Sequence, residues 1–222
     1  MAYRKILEWP NPVLASKSKE ISSFGNTDLK DVLVDMEDTL RVKQGLGLAA
    51  PQIGESVRAV LIDTSTLDFK NPDIDSSCLE NSSLWILLNP KLQNHEGSRE
   101  WEEGCLSVPW HSANVERSEK VTLQYQDFSG DNKKLDLTWP ISGIVQHECD
   151  HLDGKLILDR ISRLKSSRIR KSILKKRKKI RDIKNSIYAD VDESPVIGKP
   201  KRHLSLSTKE IKKRKKIKKN NR

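Results

Sequence analysis

Apolar residues recur at helical spacing in one early stretch and in short blocks afterwards. In "NTDLKDVLVDMEDTLRVKQG", residues 26–45, Leu29, Val32, Leu33, Met36 and Leu40 fall on one stripe. That is the three-to-four-residue period of an amphipathic helix. Asn26 or Thr27 offers a capping oxygen to the first free amides, and Gly45 is the natural stop. Residues 1–25 lack periodicity and read as an extended leading segment. After the helix come "VRAVLID", "LWILLNPKL", "ANVER" and "VTLQYQDF". They are β-rich runs separated by Gly, Asn, Asp and Ser clusters, the pattern of short strands. "SGDNKK" is a hairpin-type turn leading to "LDLTW". A second helix is predicted over "PISGIVQHECDHLDG", residues 140–154, with Pro140 in its first turn and Gly154 closing it. "KLILDRI" reads as a short extended run. One helix, several strands and another helix make an α+β pattern without the βαβ alternation of a parallel sheet.

Two stretches resist this frame. "TSTLDFKNPDIDSSCLENSS", residues 64–83, is polar and turn-rich, a long surface loop that reads as an insertion. From about residue 162 the chain becomes lysine-rich, "SRLKSSRIRKSILKKRKKIRDIKNSI". A mixed linker follows, and "KEIKKRKKIKKNNR" ends the sequence. Residues 1–164 hold 18 Lys and Arg against 26 Asp and Glu, a net −8; residues 165–222 hold 23 against 5, a net +18. The overall +10 therefore belongs to the terminus. The expected organisation is a catalytic domain over 1–164 and a basic extension over 165–222, partly helical and partly flexible. Only 35% of residues are apolar, which fits an extension that does not pack compactly. The three cysteines, Cys78, Cys105 and Cys149, are odd in number and follow no signal peptide. Reduced thiols and a cytoplasmic location are expected. No stretch reaches the roughly 20 apolar residues needed to cross a bilayer, so no membrane association is expected.

The second helix carries the chemistry. A helical residue turns about 100°, so with His147 at 0°, His151 lies near 40° and Glu148 near 100°. Two imidazoles on one side can grip one metal ion, with the glutamate within reach of water on it. Cys149, near 200°, points away and reads as a small core residue. The plainer alternative is two core or surface histidines. A catalytic metal site needs a third protein ligand. Downstream Asp153, Asp159 and His203 are poor choices, which turns attention upstream to "EGCLSVP", residues 103–109. Cys105 follows a glycine there, and a thiolate suits zinc or ferrous iron; alone, it would read as an inert buried thiol. "GLGLAAPQIG", residues 45–54, is a tight loop or edge strand. It lacks the third glycine and the strand–helix setting of a phosphate loop.

Together, "GLGLAAPQIG", "EGCLSVP" and "QHECDHLDG" resemble the three signature motifs of peptide deformylase, in order. The resemblance runs from about Ile6 to Lys165. It implies an enzyme that removes the formyl group from N-formylmethionine on nascent peptides. It also implies an α+β fold with antiparallel strands around the helix bearing the histidines. Carried over by residue, Cys105, His147 and His151 are the metal ligands and Glu148 the general acid/base. Gln52 and the Leu106 backbone N–H form the oxyanion hole. The resemblance implies Fe²⁺ as the metal, with Zn²⁺, Ni²⁺ or Co²⁺ accepted. Gly45, Leu46 and Gly47 either pair with the substrate backbone or simply pack; Ile144 lines the methionine pocket or belongs to the core. Glu103 and Arg117 are expected to form a buried ion pair behind Cys105. Trp110 and His111 depart from the family pattern and are expected to reshape the substrate entrance. The basic extension is either a solvated tail or a ribosome anchor acting on ribosomal RNA, with Ile161, Leu164, Ile173 and Leu174 holding its helix to the body. Two rivals remain at this stage. A metallopeptidase would need a downstream ligand, and a catalytically silent body would bind RNA through its tail.

Overall fold

Asn26 caps the first helix, its side chain accepting the Leu29 N–H at 2.8 Å. In the computed structural model, which describes residues 3–65 and 83–189, that helix is α1, Thr27–Lys43. Cys78, most of the polar loop and the final lysine-rich block lie outside the described residues. The helix stops one residue earlier than expected: Gln44, not Gly45, takes the left-handed cap conformation at φ 52°.

Seven strands follow: β1 (Gly47–Ala49), β2 (Ala59–Asp63), β3 (Leu84–Glu96), β4 (Arg99–Gly104), β5 (Ser112–Arg117), β6 (Lys120–Gln126) and β7 (Asn132–Leu137). Five form an antiparallel sheet in the order β1-β2-β3-β6-β7, and β4 pairs with β5 in a separate antiparallel ribbon. Helix α2, Ile141–Leu152, lies on one face of the sheet. The α+β class with antiparallel strands around that helix is the fold observed.

The strand period explains how helices cover both faces. Successive side chains of a strand point to opposite sides. In β2, Val60 and Ile62 face α2, while Ala59 and Leu61 face α1. Trp85 and Leu87 of β3 join the first core; Leu84, Ile86 and Leu88 join the second. A central strand buried on both sides reads as a continuous apolar run, as "AVLI" does. Every residue of α2 except His147 is buried, so the helix is a fixed scaffold for its side chains. Gly154 sits at φ 70°, and an added Cβ would lie 2.8 Å from the Ala15 carbonyl; only glycine lets the chain leave α2 there.

Two local expectations fail. "KLILDRI" is not extended: Ile157–Asp159 forms a 3-10 turn, fastened by the Asp159 carboxylate accepting the Leu156 N–H at 3.0 Å. Helix α3, Arg163–Ala189, is present, but Leu164 and Leu174 are exposed. Ile173 is fully buried in a third core with Leu14, Val108, Val115 and Leu156–Leu158, and Ile161 and Ile169 pack against it. Ile169 and Ile173 stand one turn apart on one face, whereas Leu164 and Leu174 stand off it. The chain divides into two units, Met1–Lys175 and Lys176–Arg222; the first contains both sheets and α1 and α2.

Candidate metal centre

The α2 positions place His147, Glu148 and His151 on one side of a helix whose other residues are locked in the core. The turn after β4 supplies Cys105, shaped by the Val108 N–H donating to the Cys105 carbonyl at 2.9 Å. Cys105, His147 and His151 offer ligand atoms that all lie within 4.8 Å of one another, the one such group among the described residues. Sγ of Cys105 is 3.4 Å from Nε2 of His151, and the two imidazole centroids are 5.1 Å apart. The downstream acids do not join them: Asp153 pairs with Arg58 at 2.8 Å and Asp159 with Arg170 at 2.9 Å. His203 lies outside the described residues.

A buried network stands behind the ligands. Glu103 accepts from His147 Nδ1 at 2.7 Å, which leaves Nε2 of that ring for the cluster. Arg117 clamps Glu103 through Nε at 2.7 Å and Nη2 at 3.0 Å, the buried ion pair expected from the sequence. Its Nη1 reaches Asp150 at 2.6 Å, and Arg160 binds Asp150 from the far side. Such outer partners fix ring orientation and raise ligand basicity. Burial alone would raise the Glu103 carboxyl, but the His147 and Arg117 hydrogen bonds bring it down to about 2.

The electrostatics favour a cation among the three donors. Burial opposes ionisation of Cys105, yet the two imidazoles bring its thiol down to about 5. Burial likewise opposes charge on His147, and Cys105 and Glu103 nevertheless hold its pKa well above the ordinary imidazole value. A thiolate with two imidazoles suits Fe²⁺ or Zn²⁺, and a divalent ion would replace the positive charge that the proton otherwise provides. The donor set therefore fits one such ion.

Glu148 is buried and its Oε2 has no hydrogen-bond partner; burial pushes its carboxyl up. Gly47 makes room for it, since an added Cβ would meet Oε1 at 2.6 Å. Gln52 is buried, its Oε1 accepting the Ala49 N–H at 2.8 Å, which leaves its amide N–H₂ as the donating end, 3.4 Å from Ser107 Oγ. Cys149 packs in the core as expected, and burial raises its thiol.

A cleft of about 510 Å³ brings together Gly45, Leu46, Gly47, Gln52, Cys105, Leu106, Ile144, His147 and Glu148. His151, behind them, is 1% exposed. Ile144 lines the cleft and also belongs to the first core. A larger groove of about 730 Å³, lined by Arg58, Lys91, Glu116 and Arg160, contains none of the three ligands; the donor cluster, not size, marks the site. Sequence reasoning missed the Glu103–His147 bond, the Asp150–Arg160 support and the fit of Gly47 to Glu148.

Fold and cluster together define a hydrolase class in which one helix presents paired histidines and a carboxylate to a metal ion. Comparison with known proteins narrows it. The sequence model of the family described as "Polypeptide deformylase" matches residues 3–167, and the chain belongs to that family. Its activity is removal of the N-formyl group from newly made polypeptides. A peptide deformylase of Thermodesulfovibrio yellowstonii is 36% identical over 177 residues, covering 80% of this chain and all of that protein. One from Acidobacterium capsulatum is 39% identical over 176 residues, covering 79% and 96%. The crystal structure of a Legionella pneumophila peptide deformylase matches with a TM-score of 0.68 at 35% identity, over 82% of this chain and 98% of that one. That of Ehrlichia chaffeensis in complex with actinonin matches at 0.70 and 26% identity, over 79% and 98%.

Proposed function

We propose that Cys105, His147 and His151 hold a single divalent ion, Fe²⁺ in the resident enzyme, with Zn²⁺, Ni²⁺ or Co²⁺ able to replace it. A bound ion of this kind supplies Lewis acidity, lowering the pKa of water from about 15.7 toward neutrality and polarising a carbonyl. β1 is an edge strand, and Gly45, Leu46 and Gly47 line the cleft beside it, so an extended peptide can add to that edge. Its methionine side chain then meets Leu46 and Ile144. The formyl oxygen accepts from the Gln52 amide and the Leu106 N–H, donors for the negative charge that builds on it. Removing one such donor typically costs about 3 kcal/mol of transition-state stabilisation. Glu148 takes a proton from the attacking water and passes it to the leaving nitrogen; its raised pKa supports that exchange. The formyl C–N bond breaks, giving formate and a free N-terminal methionine.

The observation that carries this reading is the convergence of Cys105, in the turn after β4, with two histidines and a buried carboxylate on α2. The test compares formyl-Met peptides, acetyl-Met peptides and internal peptide bonds as substrates of the metal-loaded protein. Formate release from the first alone is expected; cleavage of internal bonds would favour a peptidase instead. Oxygen attacks both ferrous iron and a thiolate. The iron form is therefore expected to lose activity in air, and an iron-loaded sample that stays active under aeration would argue for another metal.

The basic extension supports a second element of the reading. A terminus of +18 on a body of −8 can anchor an otherwise repelled enzyme to ribosomal RNA, which places it in the cytoplasm with its nascent substrates. No described helix is long and apolar enough to cross a membrane. Ribosome co-sedimentation should fall when the chain is cut after Lys175, and should weaken with salt as phosphate contacts do. Cutting at Lys165 would be a poor test, because it removes the buried Ile173.

A further inference from the structure

The mouth of the catalytic cleft carries a residue with no part in the chemistry described so far. Trp110 lines the cleft with Leu46 and Leu106, yet it is 48% exposed. Its backbone sits at φ 66°. The other described non-glycine residues at positive φ are Gln44, a helix cap, and two asparagines, Asn89 and Asn94. Asparagine tolerates that region; for a bulky side chain it is a genuine outlier. Strain of this kind persists only where neighbouring structure imposes it, and it concentrates at ligand clamps. The imposing frame is present. The Trp9 N–H donates to the Ser107 carbonyl at 2.9 Å, and β5 begins two residues on at Ser112. The ring is thus presented at the mouth by a turn pinned on both sides.

Lys43 and Glu102 also line the cleft. With the formyl group at the cluster and the methionine side chain against Leu46 and Ile144, as proposed above, a peptide that ran from there to the exposed part of the lining would meet Trp110, advancing about 3.3 Å per residue in extended form.

We propose that Trp110 determines specificity beyond methionine by packing its ring on a large apolar or aromatic side chain at the second or third residue of the formylated peptide. The inference rests on the deformylase reading. Its test is kcat/KM of the metal-loaded, full-length enzyme for formyl-Met-X-Ser and formyl-Met-Ala-X, with X as Phe, Leu, Ala or Asp. The wild type is expected to favour Phe or Leu over Ala by about tenfold at one of the two positions, the usual scale of an aromatic contact. Trp110→Gly should bring that ratio close to one, and Trp110→Phe should keep most of it. Glycine relieves the left-handed backbone, so Tm should not fall. If it does, Trp110→Asn reads the same ratio without a bulky side chain at positive φ. A preference that survives in the variants lacking the ring, or a wild type indifferent at both positions, overturns the inference. A wild type that releases no formate from any of the peptides overturns the deformylase reading as well.

Discussion

Gly47 has no side chain because Glu148 fills the space one would occupy. An alanine Cβ would stand 2.6 Å from Glu148 Oε1 and 2.8 Å from Cγ, so Gly47→Ala must displace the carboxylate. Misplacing a catalytic group by about 1 Å can cost about 10²-fold; kcat for formate release should fall on that scale while all three metal ligands remain. Arg117 acts at greater depth. Arg117→Ala would take the guanidinium from the buried Glu103 carboxylate and leave Asp150 with Arg160 alone. Removing one partner of a buried pair costs about 3–5 kcal/mol, and loss of outer support weakens metal affinity about 10- to 100-fold. Chemical denaturation and a chelator titration should show both effects. The histidine pair and Glu148 were legible from helical spacing, whereas Cys105 and the Glu103–Arg117 pair became readable only through the resemblance of the three motifs. The Gly47–Glu148 fit was not legible: it joins positions 101 residues apart, and a glycine does not announce its neighbour.

At the scale of elements, α3 divides apolar residues that look equivalent in the sequence. Ile173 is fully buried and Leu174 is half exposed. Ile173→Ala should cost about 2–5 kcal/mol, as for other buried large-to-small changes, and Leu174→Ala no more than about 0.5 kcal/mol. Urea midpoints of the two variants should separate accordingly. Choosing between them requires the receiving surface, Leu14, Val108 and Val115, which comes from three other parts of the chain. The same limit hid β4. Its sequence "REWEEG" carries three acids and one tryptophan, and an inward Glu103 makes sense only once Arg117 and His147 face it. By contrast α1 and the apolar strands were readable, since their burial follows their own period. The 157–159 turn was not, because the Asp159 carboxylate rather than an apolar pattern closes it.

For the whole molecule, the family match ends at residue 167, close to where the charge changes sign. The proposed anchor would put chemistry and docking in different parts of one chain, and the predicted consequence is that formate release from short peptides survives removal of residues beyond Lys175 while ribosome co-sedimentation does not. Parallel assays of the full and shortened proteins check this. The proposed chemistry depends on one ion held by a sulfur from the turn after β4 and two nitrogens from α2. X-ray absorption at the metal edge of the anaerobically prepared protein tests that most directly. One sulfur and two imidazole nitrogens around a single ion, with the sulfur lost in Cys105→Ser, is the predicted result. A spectrum without sulfur, or one unchanged by that substitution, would contradict the account.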